Sequence, residues 1–297
     1  MGTTEESRVG NTVRLRDGRA LGYAEFGDLT GKPVLMMHGF PDSRITRNPD
    51  DALTASLGVR LIIVDRPGTG LSDFKPARSL LDRVDDVAQL TDELGLDRFA
   101  VLGWSAGGPY ALACAHILAR RISAVGVACG FAPVDRPGAT EGMPKNMRRF
   151  IPLLRRMPWV ARPMMASLAK QYMKDPGKAF QKQFGGSMSE VDARVMDRPE
   201  IRRNMLDGAA EAMRQGSKGP ASEVQLLFAR AWGFRPGDIE TEVWLWYGDA
   251  DALVPLSTGR YLAEAIPNSR LVVCPGEGHM LFVTRWEEIL STLVSHE

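Results

Sequence analysis

The sequence predicts an α/β protein with a mostly parallel, doubly wound sheet of about eight strands and an inserted block of helices. Apolar strand-like runs alternate with helical segments over residues 1–131, and this alternation resumes over residues 236–297. Between them, over residues 132–235, the alternation stops and helical periodicity with frequent Pro and Gly takes over. We therefore predict a core formed by the two outer stretches and a helical cap, here called the insertion, over 132–235.

Short apolar runs predict the strands. The first two, Val13–Leu15 and Leu21–Glu25, flank the turn signal Asp17-Gly18 and are therefore predicted to form a hairpin. The remaining strands are predicted at Val34–Met37, Arg60–Val64, Ala100–Leu102, Ser123–Ala128, 243–247 and 270–274. Helices are predicted at Asp50–Leu57, Leu80–Leu94, Gly107–Ala119, 257–265 and 285–294.

The insertion differs from the core in charge and in methionine content. It carries 19 Lys and Arg against 10 Asp and Glu, a net charge of +9, and it holds ten of the 14 methionines. Methionine suits apolar surfaces that must fit varied shapes. The insertion is therefore interpreted either as a lid over an adaptable apolar pocket or as short helices packed on the core by those methionines. Its basic residues indicate either a solvated outer face or a site for an acidic group.

One candidate nucleophile follows the strand at Ala100–Leu102, within Gly103-Trp104-Ser105-Ala106-Gly107. A small residue two positions before and two positions after a serine, between a strand and a helix, is the pattern of a nucleophile elbow. The turn requires small neighbours, and it presents the serine hydroxyl at the amino end of the next helix. Ser105 is therefore the candidate nucleophile.

A second loop, His38-Gly39-Phe40-Pro41, follows the strand at Val34–Met37. Acyl transfer through a serine needs two backbone N–H donors aimed at the developing oxyanion. Ala106, the residue after the serine, is the candidate for one donor, and Phe40 is the candidate for the other. His38 is predicted to shape this loop through hydrogen bonds to its backbone rather than to act as a base.

Candidates for the acid and the base follow the last two strands. Asp249 and Asp251 lie on the loop after 243–247, and His279 lies after 270–274. Each candidate therefore lies at the carboxyl end of a predicted parallel strand, the edge at which open sheets bind ligands. Asp135, near the start of the insertion, is a remote third candidate for the acid.

These motifs, together with the glycine-rich turn Asp65-Arg66-Pro67-Gly68-Thr69-Gly70, resemble those of the α/β hydrolases that carry a helical cap. The family pattern G-x-x-D-x-x-V-P falls on Gly248, Asp251, Val254 and Pro255 and so selects Asp251. The resemblance implies Ser105 as nucleophile, His279 as general base and Asp251 as its orienting acid. It also implies an oxyanion hole from the amides of Phe40 and Ala106. Pocket residues are expected at Trp104, His38 and Gly39.

The activity implied is hydrolysis of a small or medium apolar carboxylic ester or lactone through an acyl-enzyme. The elbow serine excludes haloalkane dehalogenases and most epoxide hydrolases, which resemble this chain but use aspartate there. Three enzyme alternatives stay open: a cofactor-free haloperoxidase, a prolyl iminopeptidase and a carbon–carbon bond hydrolase acting on an acidic diketone. The iminopeptidase is less favoured, because the oxyanion loop of those enzymes is usually richer in glycine than His38-Gly39-Phe40-Pro41. The carbon–carbon bond hydrolase would use cap arginines such as Arg148, Arg149, Arg155 or Arg202. A small-molecule receptor on the same fold is the non-enzyme alternative.

Composition restricts the partners further. The net charge of +1 gives no general attraction to nucleic acid or an anionic membrane, and no apolar run is long enough to cross a bilayer. Three cysteines without short spacing argue against a disulfide framework or a metal site. We expect a cytoplasmic protein without a signal peptide, metal or cofactor. It is expected to bind a small-molecule substrate, as a monomer or a homodimer.

Overall fold

The computed structural model describes residues 8–77, 79–136 and 138–295, so the N-terminal segment in which no signal peptide was expected lies outside it. Within these residues eight strands form one sheet in the order β1-β2-β4-β3-β5-β6-β7-β8. β2 pairs antiparallel with β1 and β4, and every other neighbouring pair is parallel, which confirms the mostly parallel sheet. The strands are β1 (Asn11–Arg14), β2 (Ala20–Gly27), β3 (Lys32–Met37), β4 (Val59–Val64), β5 (Phe99–Trp104), β6 (Ile122–Ala128), β7 (Val243–Gly248) and β8 (Ser269–Cys274).

Helices cover both faces of this sheet, because its central strands are apolar on both sides and need partners there. β5 is buried along its whole length. The core helices are α1 (Asp51–Ser56), α2 (Val84–Glu93), α3 (Gly108–Ile117), α10 (Leu256–Ala265), α11 (Leu281–Thr284) and α12 (Trp286–Val294). The helix predicted at Leu80–Leu94 begins instead with a single 3-10 turn at Leu81–Arg83.

Six helices lie between β6 and β7 in the described residues, where the sequence pattern predicts several short helices. They are α4 (Lys145–Arg156), α5 (Ala161–Lys174), α6 (Pro176–Phe184), α7 (Glu190–Met196), α8 (Pro199–Ala212) and α9 (Lys218–Phe228). Proline at the first position separates α6 and α8 from the helices before them, and Asp175 and Ser189 cap the amino ends of α6 and α7.

Buried side chains of the insertion extend the core beyond the sheet. Leu154 and Met165 belong to the apolar cluster on the face of α2, α3 and α10, whereas Tyr172 and Met205 belong to the cluster on the face of α12. The insertion thus closes over the carboxyl edge of the sheet, where β5, β7 and β8 end. None of the helices within the described ranges combines the length and apolar character that a membrane span needs.

Candidate active site

Ser105 lies at the turn between β5 and α3. Its φ angle is 53°, a left-handed conformation that L-residues rarely adopt. Gly103 and Gly107 permit this turn: a Cβ on Gly107 would lie 1.9 Å from the Met37 carbonyl oxygen, and one on Gly103 would lie 2.6 Å from the Gly107 carbonyl oxygen. The spacing of small residues in the sequence therefore has a steric cause at this turn.

His279 joins Ser105 and Asp251 in one chain of hydrogen bonds. The Ser105 Oγ lies 2.9 Å from His279 Nε2, and His279 Nδ1 lies 2.8 Å from Asp251 Oδ2. Because a carboxylate only accepts, Nδ1 carries the proton and donates it, which leaves Nε2 to accept from the serine hydroxyl. All three side chains are buried, so this chain of hydrogen bonds is largely shielded from water.

Neighbouring groups fix the acid and the histidine in this arrangement. Asp251 Oδ1 accepts hydrogen bonds from the backbone N–H groups of Leu253 and Val254 at 2.7 and 2.9 Å. Trp104 donates from Nε1 to the His279 carbonyl oxygen at 3.1 Å, and its ring stacks on Phe282 at 4.0 Å between centroids. The orientation of the imidazole is therefore determined by contacts from β5, the Asp251 loop and α11.

The two other candidate acids lie elsewhere. Asp249 is exposed, and its Oδ1 accepts a hydrogen bond from the Gly276 N–H at 2.7 Å. Asp135 is also exposed and lines a separate depression beside residues 230–238. Of the three candidate acids, the structure brings Asp251 to His279.

The two histidines of the candidate site differ in their electrostatics. Burial alone would lower the pKa of His279, but the Asp251 carboxylate outweighs it and raises that pKa above its ordinary value, with help from Asp192. For His38, burial lowers the pKa well below its ordinary value, and the Arg66 guanidinium adds to this effect. His38 is therefore a neutral ring, whereas His279 gains a proton more readily than a free imidazole.

The loop that contains Phe40 is held from behind by Arg66. Its Nη1 and Nη2 donate to the carbonyl oxygens of His38 and Gly39, both at 2.6 Å, and Nη2 also lies 2.6 Å from Glu223 Oε1 on α9. The His38 Nδ1 lies 3.0 Å from the Gly39 carbonyl oxygen and donates to it. These bonds satisfy both carbonyl oxygens and fix the conformation of the loop that contains Phe40.

Two cavities meet at Ser105. The large cavity has a volume of about 450 Å³, and Ser105, Phe40 and Ala106 line its floor. The small cavity has a volume of about 50 Å³ and contacts Ser105, His279 and Trp104. Trp104, one of the three predicted pocket residues, thus lines the small cavity. His38 and Gly39 line neither cavity, because the His38 ring is fully buried and the Gly39 Cα faces Trp104 and Asp42.

The methionines of the insertion have both of the roles considered for them. Five line the cavities: Met147, Met164 and Met165 the large one, and Met188 and Met205 the small one. Met143, Met196 and Met213 are buried away from both cavities and pack the insertion itself. The basic residues lie mostly outside: Lys182 is the cation among the described residues that line the large cavity, and it is exposed.

Two buried carboxyl groups near His279 were not identified from the sequence. Asp192 on α7 accepts from the Met280 N–H at 2.8 Å, and Gly278 is close enough that a Cβ there would lie 2.3 Å from Asp192 Oδ1. Asp42, in the loop after β3, accepts from Thr46 Oγ1 at 3.1 Å. The sequence could have indicated Asp42, because it directly follows the His38–Pro41 motif, whereas Asp192 lies far from every motif.

One group of side chains in the described residues has the composition of a metal site. Potential ligand atoms of Cys129, Asp251 and His279 lie within 4.8 Å of one another. Burial, reinforced by Asp251, raises the pKa of the Cys129 thiol well above its ordinary value, so the thiolate that zinc prefers is disfavoured. The Asp251 and His279 atoms already bond to each other, so these residues fit a metal poorly.

Comparison with known proteins identifies the family of this chain. The family model described as Alpha/beta hydrolase family matches residues 34–292. The chain belongs to the α/β hydrolase family. It is 26% identical to a Pseudomonas putida 2-hydroxy-6-oxononadienedioate/2-hydroxy-6-oxononatrienedioate hydrolase, over 95% of this chain and 93% of that protein. It is 23% identical to a pimeloyl-[acyl-carrier protein] methyl ester esterase of Nitrosomonas europaea, over 88% and 94%.

Solved structures share the fold of this α/β hydrolase. An esterase from Exiguobacterium antarcticum superposes with a TM-score of 0.70 at 23% identity, over 97% of this chain and 98% of that one. At this identity the likeness establishes the fold alone. The hydrolases named among its relatives support a hydrolase, and the choice of substrate has to be argued from the site itself.

Proposed function

We propose that this α/β hydrolase is a serine esterase that cleaves a carboxylic ester or lactone of a small-to-medium apolar substrate. The observation that carries the proposal is the Ser105–His279–Asp251 chain, which opens onto a large cavity with mostly apolar walls. A serine hydroxyl is a weak nucleophile by itself, and the histidine at 2.9 Å supplies the base it needs.

In the proposed mechanism Ser105 Oγ attacks the carbonyl carbon while His279 Nε2 takes its proton. Asp251 holds the imidazole in the required tautomer and stabilises the imidazolium. The amides of Phe40 and Ala106 hold the oxyanion, and losing one such donor costs about 3 kcal/mol of transition-state stabilisation. His279 then protonates the leaving alcohol, and water activated by the same base releases the acid and restores Ser105.

The competing activity is carbon–carbon bond hydrolysis of an acidic diketone, which the names of the Pseudomonas putida relatives favour. That activity was expected to use Arg148, Arg149, Arg155 or Arg202, and none of these lines either cavity. Arg155 donates instead to the Val134 carbonyl oxygen. A dicarboxylate would therefore meet an apolar wall with one exposed cation, Lys182, so the geometry favours a neutral ester.

Replacing the nucleophile tests the proposal. We expect Ser105→Ala to fold like the wild type and to lose at least about four orders of magnitude in kcat for p-nitrophenyl butyrate. An organophosphonate should label the wild type at Ser105, identified by mass spectrometry of peptides. Ser291→Ala, an exposed serine on α12, is the control and should keep full activity.

Label on another serine, or an active Ser105→Ala protein, would contradict the mechanism. Binding without turnover of any ester, lactone or diketone would favour the receptor alternative. Turnover confined to diketone acids would favour the carbon–carbon hydrolase.

A further inference from the structure

Ser105 lies between two cavities of very different volume. Both contact Phe40, Ser105, Phe184, Ser187 and Leu253, but different residues form the rest of their walls. A carbonyl carbon has two substituents, so a substrate whose carbon lies against Ser105 Oγ must place each of them in its own space. The volumes of about 450 and 50 Å³ therefore set different size limits for the two groups.

The small cavity admits only a short group. One water molecule needs roughly 10–15 Å³ of such space, so 50 Å³ holds a few non-hydrogen atoms, as in a methoxy, ethoxy or methyl group. Its walls are bulky on both sides: Trp104 and Met280 belong to the core, and Phe180 and Met205 belong to the insertion. Trp104 and Met205 are buried, so the cavity has little freedom to expand.

The same walls select against a negative charge. Asp42 and Asp192 line the small cavity, and the described residues that line it include no Lys or Arg. Among the described residues Asp42 has no ion pair; its ionisable neighbours are Arg66 after β4, Glu223 on α9, His279 after β8 and Tyr172 on α5. Burial raises the pKa of Asp42 to about 8, which leaves it uncharged near neutral pH, so the repulsion of an anion comes from the Asp192 carboxylate.

We propose that the small cavity is the subsite for a short, uncharged substituent of the substrate carbonyl, while the large cavity takes a long apolar one. This inference rests on the proposed ester hydrolysis and narrows it to asymmetric esters, with one to three non-hydrogen atoms on one side of the carbonyl. Met205 on α8 limits the length of the short group from the insertion side.

Three isomeric esters test the size limit without changing substrate hydrophobicity: methyl octanoate, heptyl acetate and butyl pentanoate. The wild type should cleave methyl octanoate or heptyl acetate with a kcat/KM at least roughly tenfold above that of butyl pentanoate. Whichever asymmetric isomer is faster identifies the group, alkoxy or acyl, that the small cavity holds. Carboxymethyl octanoate, which carries an anion on its short side, should be a poor substrate.

Enlarging the small cavity by substitution tests whether its walls set the size limit. Met205→Ala should raise the kcat/KM of butyl pentanoate relative to methyl octanoate and heptyl acetate by roughly tenfold. Met213→Ala is the matched control, because Met213 is as buried as Met205 but lines neither cavity. Met188→Ala, on the same wall and only partly buried, replaces Met205→Ala if thermal unfolding shows that variant to be unfolded.

Equal kcat/KM for the three isomers would overturn the subsite while leaving ester hydrolysis in place. An unchanged preference in folded Met205→Ala and Met188→Ala, or the same change in Met213→Ala, would also overturn it. Failure of the proposed function gives a different result, with no turnover of any isomer and no phosphonate label on Ser105.

Discussion

The carboxyl edge of the sheet and the insertion form the same site with different kinds of contact. At the sheet edge Ser105, His279 and Asp251 are held by directional hydrogen bonds of 2.7–3.1 Å to one another and to nearby backbone. The insertion contributes mostly apolar walls, such as Phe150 and Met165. Under the proposed function, reaction chemistry therefore depends on the sheet edge, whereas substrate choice depends on the packing of the insertion.

The two regions also meet through buried charged groups. Asp192 on α7 accepts from the Met280 N–H beside His279, and Glu223 on α9 pairs with Arg66 behind the Phe40 loop. Each contact joins an insertion helix to a loop of the candidate active site. We therefore expect a substitution of Asp192 or Glu223 in the insertion to change the reaction rate as well as the choice of substrate.

The largest effect is expected inside the sheet edge. Asp251→Asn should keep the fold and lower kcat by roughly 10⁴-fold, because an amide at this position favours the wrong imidazole tautomer. Steady-state kinetics with p-nitrophenyl butyrate measure the loss, and circular dichroism checks the fold. Asp249→Asn is the matched control on the same loop and should stay within a few-fold of the wild type. A mild Asp251→Asn with a damaged Asp249→Asn would reverse the assignment.

A smaller effect is expected where the insertion contacts the histidine loop. Asp192→Ala removes the acceptor for the Met280 N–H and should lower kcat about 10–100-fold through displacement of His279. Asp192→Asn keeps an acceptor oxygen and should restore most of that loss. If both variants retain wild-type kcat, the insertion does not position the base.

The pH profile of Asp192→Asn separates charge from packing. The Asp192 carboxylate raises the pKa of His279, so its removal lowers that pKa. The base acts in its neutral form, and the acid limb of kcat/KM should therefore shift to lower pH in Asp192→Asn. An acid limb at the wild-type pH would show that Asp192 acts through its hydrogen bond alone.

The last effect is on stability rather than on reaction rate, and it comes from Asp42. Its pKa is about 8 in the folded chain, above the ordinary value of 3.8, so the folded state keeps a proton that the unfolded state loses between these pH values. Stability therefore falls through this range, with a slope of up to about 1.4 kcal/mol per pH unit, and levels off above it.

Asp42→Asn removes this dependence, so its stability relative to the wild type should rise from pH 4 to pH 8. Urea unfolding at several pH values measures the difference. A constant difference would mean that Asp42 ionises normally in the folded protein.

The sheet edge was predictable from sequence because its constraints are local. The elbow needs small residues at Gly103 and Gly107, and the strands that deliver Asp251 and His279 are short apolar runs with turn residues after them. For the same reason the eight-stranded, mostly parallel sheet was predicted closely, with strand boundaries differing by no more than two residues.

The walls of the cavities were not predictable, because they depend on how helices of similar composition pack. Ten methionines mark the insertion as apolar, but the sequence does not tell Met205, on a cavity wall, from Met213, inside the helix packing. His38 and Gly39 were expected at the pocket from their place in a motif, whereas burial turned them away from it. The excess of basic residues in the insertion likewise did not indicate that Arg148, Arg149, Arg155 and Arg202 line neither cavity.

The Arg66–Glu223 pair has a consequence for substrate entry. Moving α9 outward would separate two buried charges, which is costly, and moving α8 would separate Glu211 from Arg44. Within the described part of the chain no ion pair joins α4, α5 or α6 to the core, and on these helices Met164 and Lys182 form the exposed rim of the large cavity. Outward motion of α4–α6 at the rim of the large cavity would therefore break none of the ion pairs to the core in the described residues, whereas motion of α8 or α9 would break one each.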